Sequence, residues 1–106
     1  MAKYLVEANY VGDGIKGLLK EGGTARRAVV EEAAKTVGGS VEVFYYAFGE
    51  TDLYTIIDLP DNATTARFAL AIAASGTVTL KTTVLLTPEE LDQTAAQAPT
   101  YRPPGR

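Results

Sequence analysis

The residues of this chain that could do chemistry are a few carboxylates and tyrosines, because its 106 residues include no histidine and no cysteine. Their absence excludes disulfides, thiolate metal sites, a cysteine nucleophile and any catalytic triad that uses histidine. Carboxylates alone make the weaker kind of transition-metal site, so we expect no metal and no cofactor. What remains is acid–base chemistry at a carboxylate and hydrogen bonding by tyrosine hydroxyls.

Two polar residues, Glu7 and Asn9, interrupt the first β-rich segment on the alternation of Leu5. Successive side chains of a strand point to opposite faces, so the two share one face. One interpretation makes them an exposed rim. The other makes them the few polar groups of a cavity, in which Glu7 would be a candidate general base.

Three tyrosines, Tyr45, Tyr46 and Tyr54, lie in the most β-rich stretch of the chain, VEVFYYAFGETDLYTIIDL, residues 41–59. They are either ordinary sheet and interface residues, or they line a pocket between sheet and helices and offer hydroxyls to a small, mostly apolar ligand. The turn inside the stretch carries Gly49, suited to a positive φ, and Asp52, suited to bonding backbone amides. A ligand-facing role for this turn is the alternative.

The elements that position these residues follow the order β-α-β-β-α-β. Strands are predicted over residues 3–11, over the two halves of 41–59, and over 77–86. On the first strand, Tyr4, Val6, Ala8 and Tyr10 share a side. Residues 13–39 fit a crossover helix kinked at Gly22-Gly23, with a core-facing stripe of Val30, Ala33, Ala34 and Val37.

A second helix, capped by Asp61 or Asn62, is predicted to run to about Ser75. The capping box Thr87-Pro88-Glu89-Glu90 starts a short C-terminal helix that reaches about Gln97. Two β-α-β crossovers joined by a hairpin predict an α+β, ferredoxin-like fold, with a four-stranded antiparallel sheet and both main helices on one face.

The hairpin strands are apolar on both of their alternations. In the first strand of the hairpin, which is the second strand of the chain, one alternation holds Val41, Val43, Tyr45 and Ala47. The other alternation holds Phe44, Tyr46 and Phe48 after Glu42. A two-residue and a three-residue turn pair these faces differently, so the register stays open. Either register leaves large apolar side chains on the face away from the helices, where they would be a liability on a monomer. Sheet-to-sheet self-association, as a dimer or higher homo-oligomer, is therefore expected.

The composition is that of an ordinary globular domain, with 46% apolar and 22% charged residues and a net charge of −3. We predict one domain over residues 1–98, followed by a proline-rich tail over 99–106. The sequence contains no stripe of basic residues, so nucleic-acid binding is not expected. No apolar run approaches a membrane span and no signal-peptide pattern is present, which indicates the cytoplasm.

Several segments of the chain have a familiar pattern: KYLVEANYVGDGIKGLLKEGGTARR, GGSVEVFYYAFGETDLYTIIDLPDN and SGTVTLKTTVLLTPEEL, together with Pro60-Asp61 and the ending Tyr101 to Gly105. In these segments nearly the whole chain resembles the GYD domain family. The Gly-x-Tyr-Asp motif of the family matches at Gly49 and Asp52, whereas Thr51 replaces the tyrosine. The resemblance implies a dimeric α/β barrel of ferredoxin-like units, and it implies no established activity.

Three functions follow as hypotheses. The favoured one is an oligomeric binding or structural module for an unknown small ligand or partner, and the third is a regulatory or assembly partner for a larger protein. The alternative is a cofactor-free enzyme of the dimeric α/β-barrel type, an isomerase or monooxygenase on an aromatic-like substrate, which rests on fold analogy. An enzyme requires an enclosed pocket next to the tyrosines with Glu7 or another carboxylate shielded from water. A module requires a filled core, with those tyrosines packed in a subunit contact.

Overall fold

The computed structural model describes residues 1–106, and the protein is an α+β domain. Its elements are β1 Ala2–Tyr10, α1 Gly14–Glu21, α2 Gly23–Thr36, β2 Ser40–Tyr46, β3 Leu53–Leu59, α3 Asn62–Ala73, β4 Val78–Leu85 and α4 Pro88–Ala96. The four strands form one antiparallel sheet in the order β2-β3-β1-β4. The predicted α+β class, the four-stranded antiparallel sheet and the short C-terminal helix are confirmed.

The first connection contains two helices where a single kinked helix was predicted. Gly22 separates them because its φ of 90° and ψ of 156° lie outside the helical region, and such a conformation favours glycine. Its N–H donates to Leu18 O at 2.8 Å and ends α1, while Arg26 N donates to Gly22 O at 3.1 Å and opens the bonding of α2. The chain therefore turns at Gly22, and α2 takes a direction of its own across the sheet.

The core lies between the sheet and the two longer helices. Its main cluster joins Ala34 of α2 and Phe68 of α3 to four strand residues, Tyr4, Val6, Ile57 and Leu59. Both helices thus pack on the same face of the sheet, which we call the helix face. The predicted alternation of β1 is confirmed, because Tyr4, Val6 and Ala8 are all buried. The predicted stripe of α2 is also confirmed, since Val30, Ala33 and Val37 pack against the cluster around Ala34.

Strand β2 contains an irregularity that the sequence pattern did not predict. Val41 pairs with Ile57 of β3, but Val43 pairs with the adjacent Ile56, so one extra residue lies in β2 at Glu42. A bulge of this kind shifts every later side chain to the opposite face. Val41 therefore lies on the helix face with Ile57, while Val43 lies on the other face. The connection to β3 spans residues 47–52 and is longer than the predicted two- or three-residue turn.

Side-chain caps begin the last two helices. Asp61, one of the two predicted residues, accepts a hydrogen bond from Thr64 N at 2.8 Å and caps α3. The predicted capping box of α4 is present, because Thr87 N donates to Glu90 Oε1 and Glu90 N donates to Thr87 Oγ1. From Pro88 onward every residue is exposed, and the protein measures 57 × 33 × 22 Å. The domain boundary at residue 98 stays a prediction.

Candidate functional site

Four of the five predicted site residues lie on the sheet face opposite the helices, which we call the open face. They are Glu7, Asn9, Tyr45 and Tyr54. Glu7 is opposite Tyr54 on one side and Lys81 on the other, and Tyr54 is opposite Tyr45. A single row of side chains, Lys81, Glu7, Tyr54 and Tyr45, therefore crosses all four strands. The sheet brings Glu7, Tyr54 and Tyr45 together although they are separated by up to 47 positions in the sequence.

The charge of Glu7 is partly balanced inside this row. Its Oε2 lies 3.9 Å from Lys81 Nζ, and 21% of its side chain is exposed. A separation of 3.9 Å is an ion pair without a hydrogen bond. Glu7 is therefore half-buried on a central strand, on the face that the helices do not cover.

A second, apolar row runs beside the first. It consists of Leu5, Ile56 and Val43, which pair across β1, β3 and β2, and it continues to Thr83 on β4. Beyond it, Lys3 Nζ donates to Asp58 Oδ1 and to Glu42 Oε2, both at 2.9 Å. Hydrogen bonds to these two carboxylates raise the pKa of Lys3. The open face thus has an apolar middle with a charged row on each side.

Asn9 and Asp52 form a structural link between β1 and the β2–β3 loop. Asp52 Oδ2 accepts a hydrogen bond from Tyr10 N at 3.0 Å, and Asp52 N donates to Asn9 Oδ1 at 2.9 Å and to Ala8 O at 3.1 Å. Asp52 was expected to bond backbone amides at the exit of the turn, but the amide that it bonds is that of Tyr10 in β1. The predicted positive φ at Gly49 is wrong, because the positive-φ glycines are Gly12, Gly22, Gly38, Gly76 and Gly105. The six-residue loop is long enough to reverse the chain without one.

Tyr46, the fifth predicted residue, lies on the helix face and anchors the start of α2. It pairs with buried Leu53, its hydroxyl donates to Gly23 O at 2.9 Å, and its ring meets Phe44 edge-on with centroids 5.4 Å apart. Burial raises the pKa of Tyr46. A Cβ at Gly23 would lie 2.8 Å from the Tyr46 ring, so glycine allows this close approach. Tyr46 therefore fixes the first turn of α2 against β2.

Beneath α2 and α3 lies an apolar cavity of about 70 Å³ that the sequence did not predict in this form. Twelve of its fourteen lining residues are hydrophobic, and Arg26 is the only charged one; the floor includes Val6, Ala8, Leu53 and Ile57, and the roof includes Val30, Ala33, Phe68 and Ile72. No carboxylate lines it. Glu7 lies on the opposite face of the sheet, so it cannot act as a base in this cavity.

A second, polar cavity of about 190 Å³ adjoins the first at one end. The two share Tyr10, Arg26 and Val78, and the polar cavity adds Asp13 and Glu21. Arg26 Nη1 lies 3.7 Å from Glu21 Oε2. Burial, followed by the neighbouring Tyr46, raises the pKa of Tyr10 to about 12. Tyr10 therefore remains a neutral hydroxyl at neutral pH.

Sequence reasoning missed Tyr10 and Arg26 as site residues, although the signals were present. Tyr10 continues the alternation of Tyr4, Val6 and Ala8 toward the helices. Arg26 lies four positions before Val30, so it falls on the same face of α2 as the core-facing stripe. An arginine at the start of a core-facing apolar stripe lies next to the core, and this position marks it as a candidate site residue.

Neither a metal centre nor a membrane span is evident in the structure. It contains no group of three or more carboxylate side chains placed to hold a metal ion. None of its helices is long and apolar enough to cross a membrane.

The sequence model of the GYD domain matches residues 4–95, a range that includes all four strands apart from the first two residues of β1. The chain therefore belongs to the GYD domain family. No match is found among curated proteins.

Proposed function

We propose that this GYD-domain protein is a cytoplasmic, homo-oligomeric module that binds a small ligand or partner. Two ferredoxin-like units join through their open faces and form a dimeric α/β barrel. The observation that carries the proposal is the apolar row of Leu5, Ile56 and Val43 in the middle of a sheet face that no helix of the same chain covers.

The distribution of charge on the open face suits contact with a second copy. Tyr45 and Tyr54 remain 69% and 41% exposed, so large aromatic surfaces are available for burial. Lysines and carboxylates of the outer rows alternate in sign, with Lys3 and Lys81 beside Asp58 and Glu7. A two-fold interface places the same surface on both sides, so a face with both signs of charge can complement itself. An apolar centre with a polar rim is also the usual anatomy of an interface.

The open face alone is smaller than a standard interface, so the contact needs further surface. Four strands about 4.8 Å apart and roughly eight residues long at about 3.3 Å each span a face of roughly 500 Å² before side-chain relief is counted. Stable interfaces bury about 800 Å² on each partner. Helix α4, which is exposed along its whole length with Leu91 55% accessible, supplies further surface for such a contact.

Light scattering coupled to size-exclusion chromatography tests the assembly. We expect the wild-type protein to elute with the mass of a dimer or larger oligomer at micromolar concentration. Ile56→Asp, which places a charge in the centre of the apolar row, should dissociate it, because an unpaired buried charge is costly. The matched control is Leu19→Asp, which alters a leucine of α1 that is 78% exposed and distant from the sheet.

Three results decide the proposal. A wild-type protein that is monomeric throughout the micromolar range overturns it. Dissociation by Leu19→Asp as well as by Ile56→Asp shows that the effect is not specific to the open face. Should Ile56→Asp prevent folding, Tyr45→Asp replaces it, since Tyr45 is largely exposed in the single chain and its substitution leaves the core intact. An oligomer that survives Tyr45→Asp and Ile56→Asp contradicts the open-face interface.

A further inference from the structure

We propose that the apolar cavity beneath α2 and α3 binds a small apolar carboxylate, with its ring or branched chain inside and its carboxylate against Arg26 and Tyr10. This inference rests on the proposed binding function and names the class of ligand. The occupant follows from three properties of the cavity: the chemistry of its lining, its size and the position of its one charged group.

The lining selects an apolar ligand with a negative end. Apart from Arg26, Tyr10 and Thr55, the residues around the cavity have no polar side-chain group. The hydroxyl of Thr55 already donates to Val43 O at 2.7 Å, so it is occupied within the sheet. Arg26 presents hydrogen-bond donors, and guanidinium matches a carboxylate in charge and in geometry. A ligand with an amino group would find no carboxylate in the apolar cavity, because Asp13 and Glu21 line only the polar cavity.

Arg26 retains donors for such a ligand. Its closest carboxylate within the chain is Glu21, and the 3.7 Å between Nη1 and Oε2 exceeds hydrogen-bond length. Glu21 itself keeps 47% of its side chain exposed, so water stabilises its charge if Arg26 turns to a ligand. The first turn of α2 lies at the same end of the cavity, and the positive end of its helix dipole also favours an anion.

The volume limits the apolar part to about one six-membered ring. The cavity offers about 70 Å³ to the centres of water-sized atoms. One water needs about 10–15 Å³ on this scale, so roughly five to seven such groups fit. The carboxylate then lies at the rim, where the polar cavity begins and where Tyr10 and Arg26 belong to both spaces.

Three probes with the same ring and different charge test the inference on the full-length protein. They are benzoate, neutral benzyl alcohol and cationic benzylammonium, each titrated by isothermal calorimetry and by backbone amide NMR shifts. We expect benzoate to bind at least tenfold more tightly than benzyl alcohol and benzylammonium not to bind. The shifted amides should belong to residues around the cavity, among them Ala8, Val30 and Phe68, and not to the open face.

Two arginine variants make the test specific. Arg26→Gln should weaken benzoate at least tenfold and leave benzyl alcohol unchanged. Arg27→Gln is the matched control, because Arg27 is the next residue on the same helix, lies 3.9 Å from Glu31 and does not line the cavity. It removes the same charge and should leave benzoate binding unchanged.

The outcomes separate the ligand class from the proposed function. Equal affinity for benzoate and benzyl alcohol overturns the carboxylate assignment while leaving a binding module in place. Equal losses in Arg26→Gln and Arg27→Gln overturn it too, because the effect would then be one of net charge. If none of the three probes binds, the cavity is not a ligand site, yet the open-face dimer is unaffected. The comparison of probes on the wild-type protein holds even if a variant fails to fold.

Discussion

Replacing Asp52 by alanine is the sharpest test of what the family motif does in this protein. Asp52 Oδ2 accepts the N–H of Tyr10 at 3.0 Å. Tyr10 lies past the last register pair of β1 with β3, which is Ala8 with Leu53. The carboxylate therefore takes the place of a strand partner that β3 does not supply. Asp52→Ala removes this acceptor while keeping the backbone N–H of residue 52, which bonds Asn9 and Ala8.

The expected loss of stability follows from the hydrogen bond that disappears. A buried donor left without a partner costs about 1–3 kcal/mol. Tyr10 is only half-buried, so water reaches part of this site and the lower half of that range, about 1–2 kcal/mol, is expected. In a domain of this size each kcal/mol lowers Tm by roughly 4–8 °C, which predicts a decrease of roughly 5–15 °C. Asp52→Asn retains an acceptor oxygen and should lose clearly less.

Urea unfolding followed by circular dichroism measures this difference. Wild type, Asp52→Ala and Asp52→Asn are compared at one protein concentration, because the midpoint of an oligomer depends on concentration. Thr51→Ala is the neighbouring control, since no side-chain hydrogen bond of Thr51 contributes to the link with β1. If Asp52→Ala unfolds within about 0.5 kcal/mol of the wild type, the ordinary range for surface substitutions, the carboxylate does not hold β1 and the structural interpretation of the motif is refuted.

Two further predictions concern the ends of helices. The hydrogen bond from the backbone N–H of Thr64 lowers the pKa of Asp61 below its ordinary 3.8. The folded state therefore favours the carboxylate, so this stabilisation is complete above pH 3.8 and is lost as the pH falls through the lower pKa that Asp61 has in the folded protein. When Tm is measured against pH, it should fall more steeply in acid for the wild type than for Asp61→Asn. Parallel curves for the two proteins would contradict this prediction. At the start of α1, Gly14→Ala should destabilise the fold by about 1–3 kcal/mol because its Cβ would collide with the backbone carbonyl of Thr77. Gly17→Ala, in the same helix with no atom within 4 Å of its Cβ, should instead stabilise by about 0.5–1 kcal/mol, and equal effects of the two in urea unfolding would refute the packing argument.

Much of the fold is readable from the sequence because local signals and the global pattern agree. The alternation of Tyr4, Val6 and Ala8 identifies the buried side of β1. The capping box at Thr87 fixes the start of α4 within one residue. These features depend on neighbours a few positions apart, so a single sequence is enough to find them.

The bulge at Glu42 was not predictable in the same way. A bulge exists only in relation to the partner strand, and here it lets β2 place Val41 over the core with Ile57 and Val43 on the open face with Ile56. The sequence shows apolar residues on both alternations of β2 without showing where the faces exchange. For the same reason the sequence analysis treated Tyr45, Tyr46 and Tyr54 as one set, although Tyr46 lies on the helix face and the other two lie on the open face.

The candidate site was predicted in its residues more than in its arrangement. Glu7, Tyr45 and Tyr54 do come together, but on the open face, whereas the apolar cavity lies on the helix face and is lined by Tyr10 and Arg26. Which side of a sheet a pocket occupies depends on how far the helices stand from the strands, and no spacing along the chain encodes that distance.

Strand β1 contributes residues both to the open face and to the apolar cavity. This gives Asp52 a structural role that does not depend on the motif tyrosine, which Thr51 replaces. The odd-numbered residues Leu5 and Glu7 belong to the open face, and the even-numbered Val6 and Ala8 line the cavity. A shift of one residue between β1 and β3 would exchange the two sets. Asp52 opposes such a shift, because its backbone N–H bonds the side chain of Asn9 on one alternation and its carboxylate bonds the N–H of Tyr10 on the other. Thr51 takes no part in these bonds, so the register of both surfaces survives the replacement of the motif tyrosine.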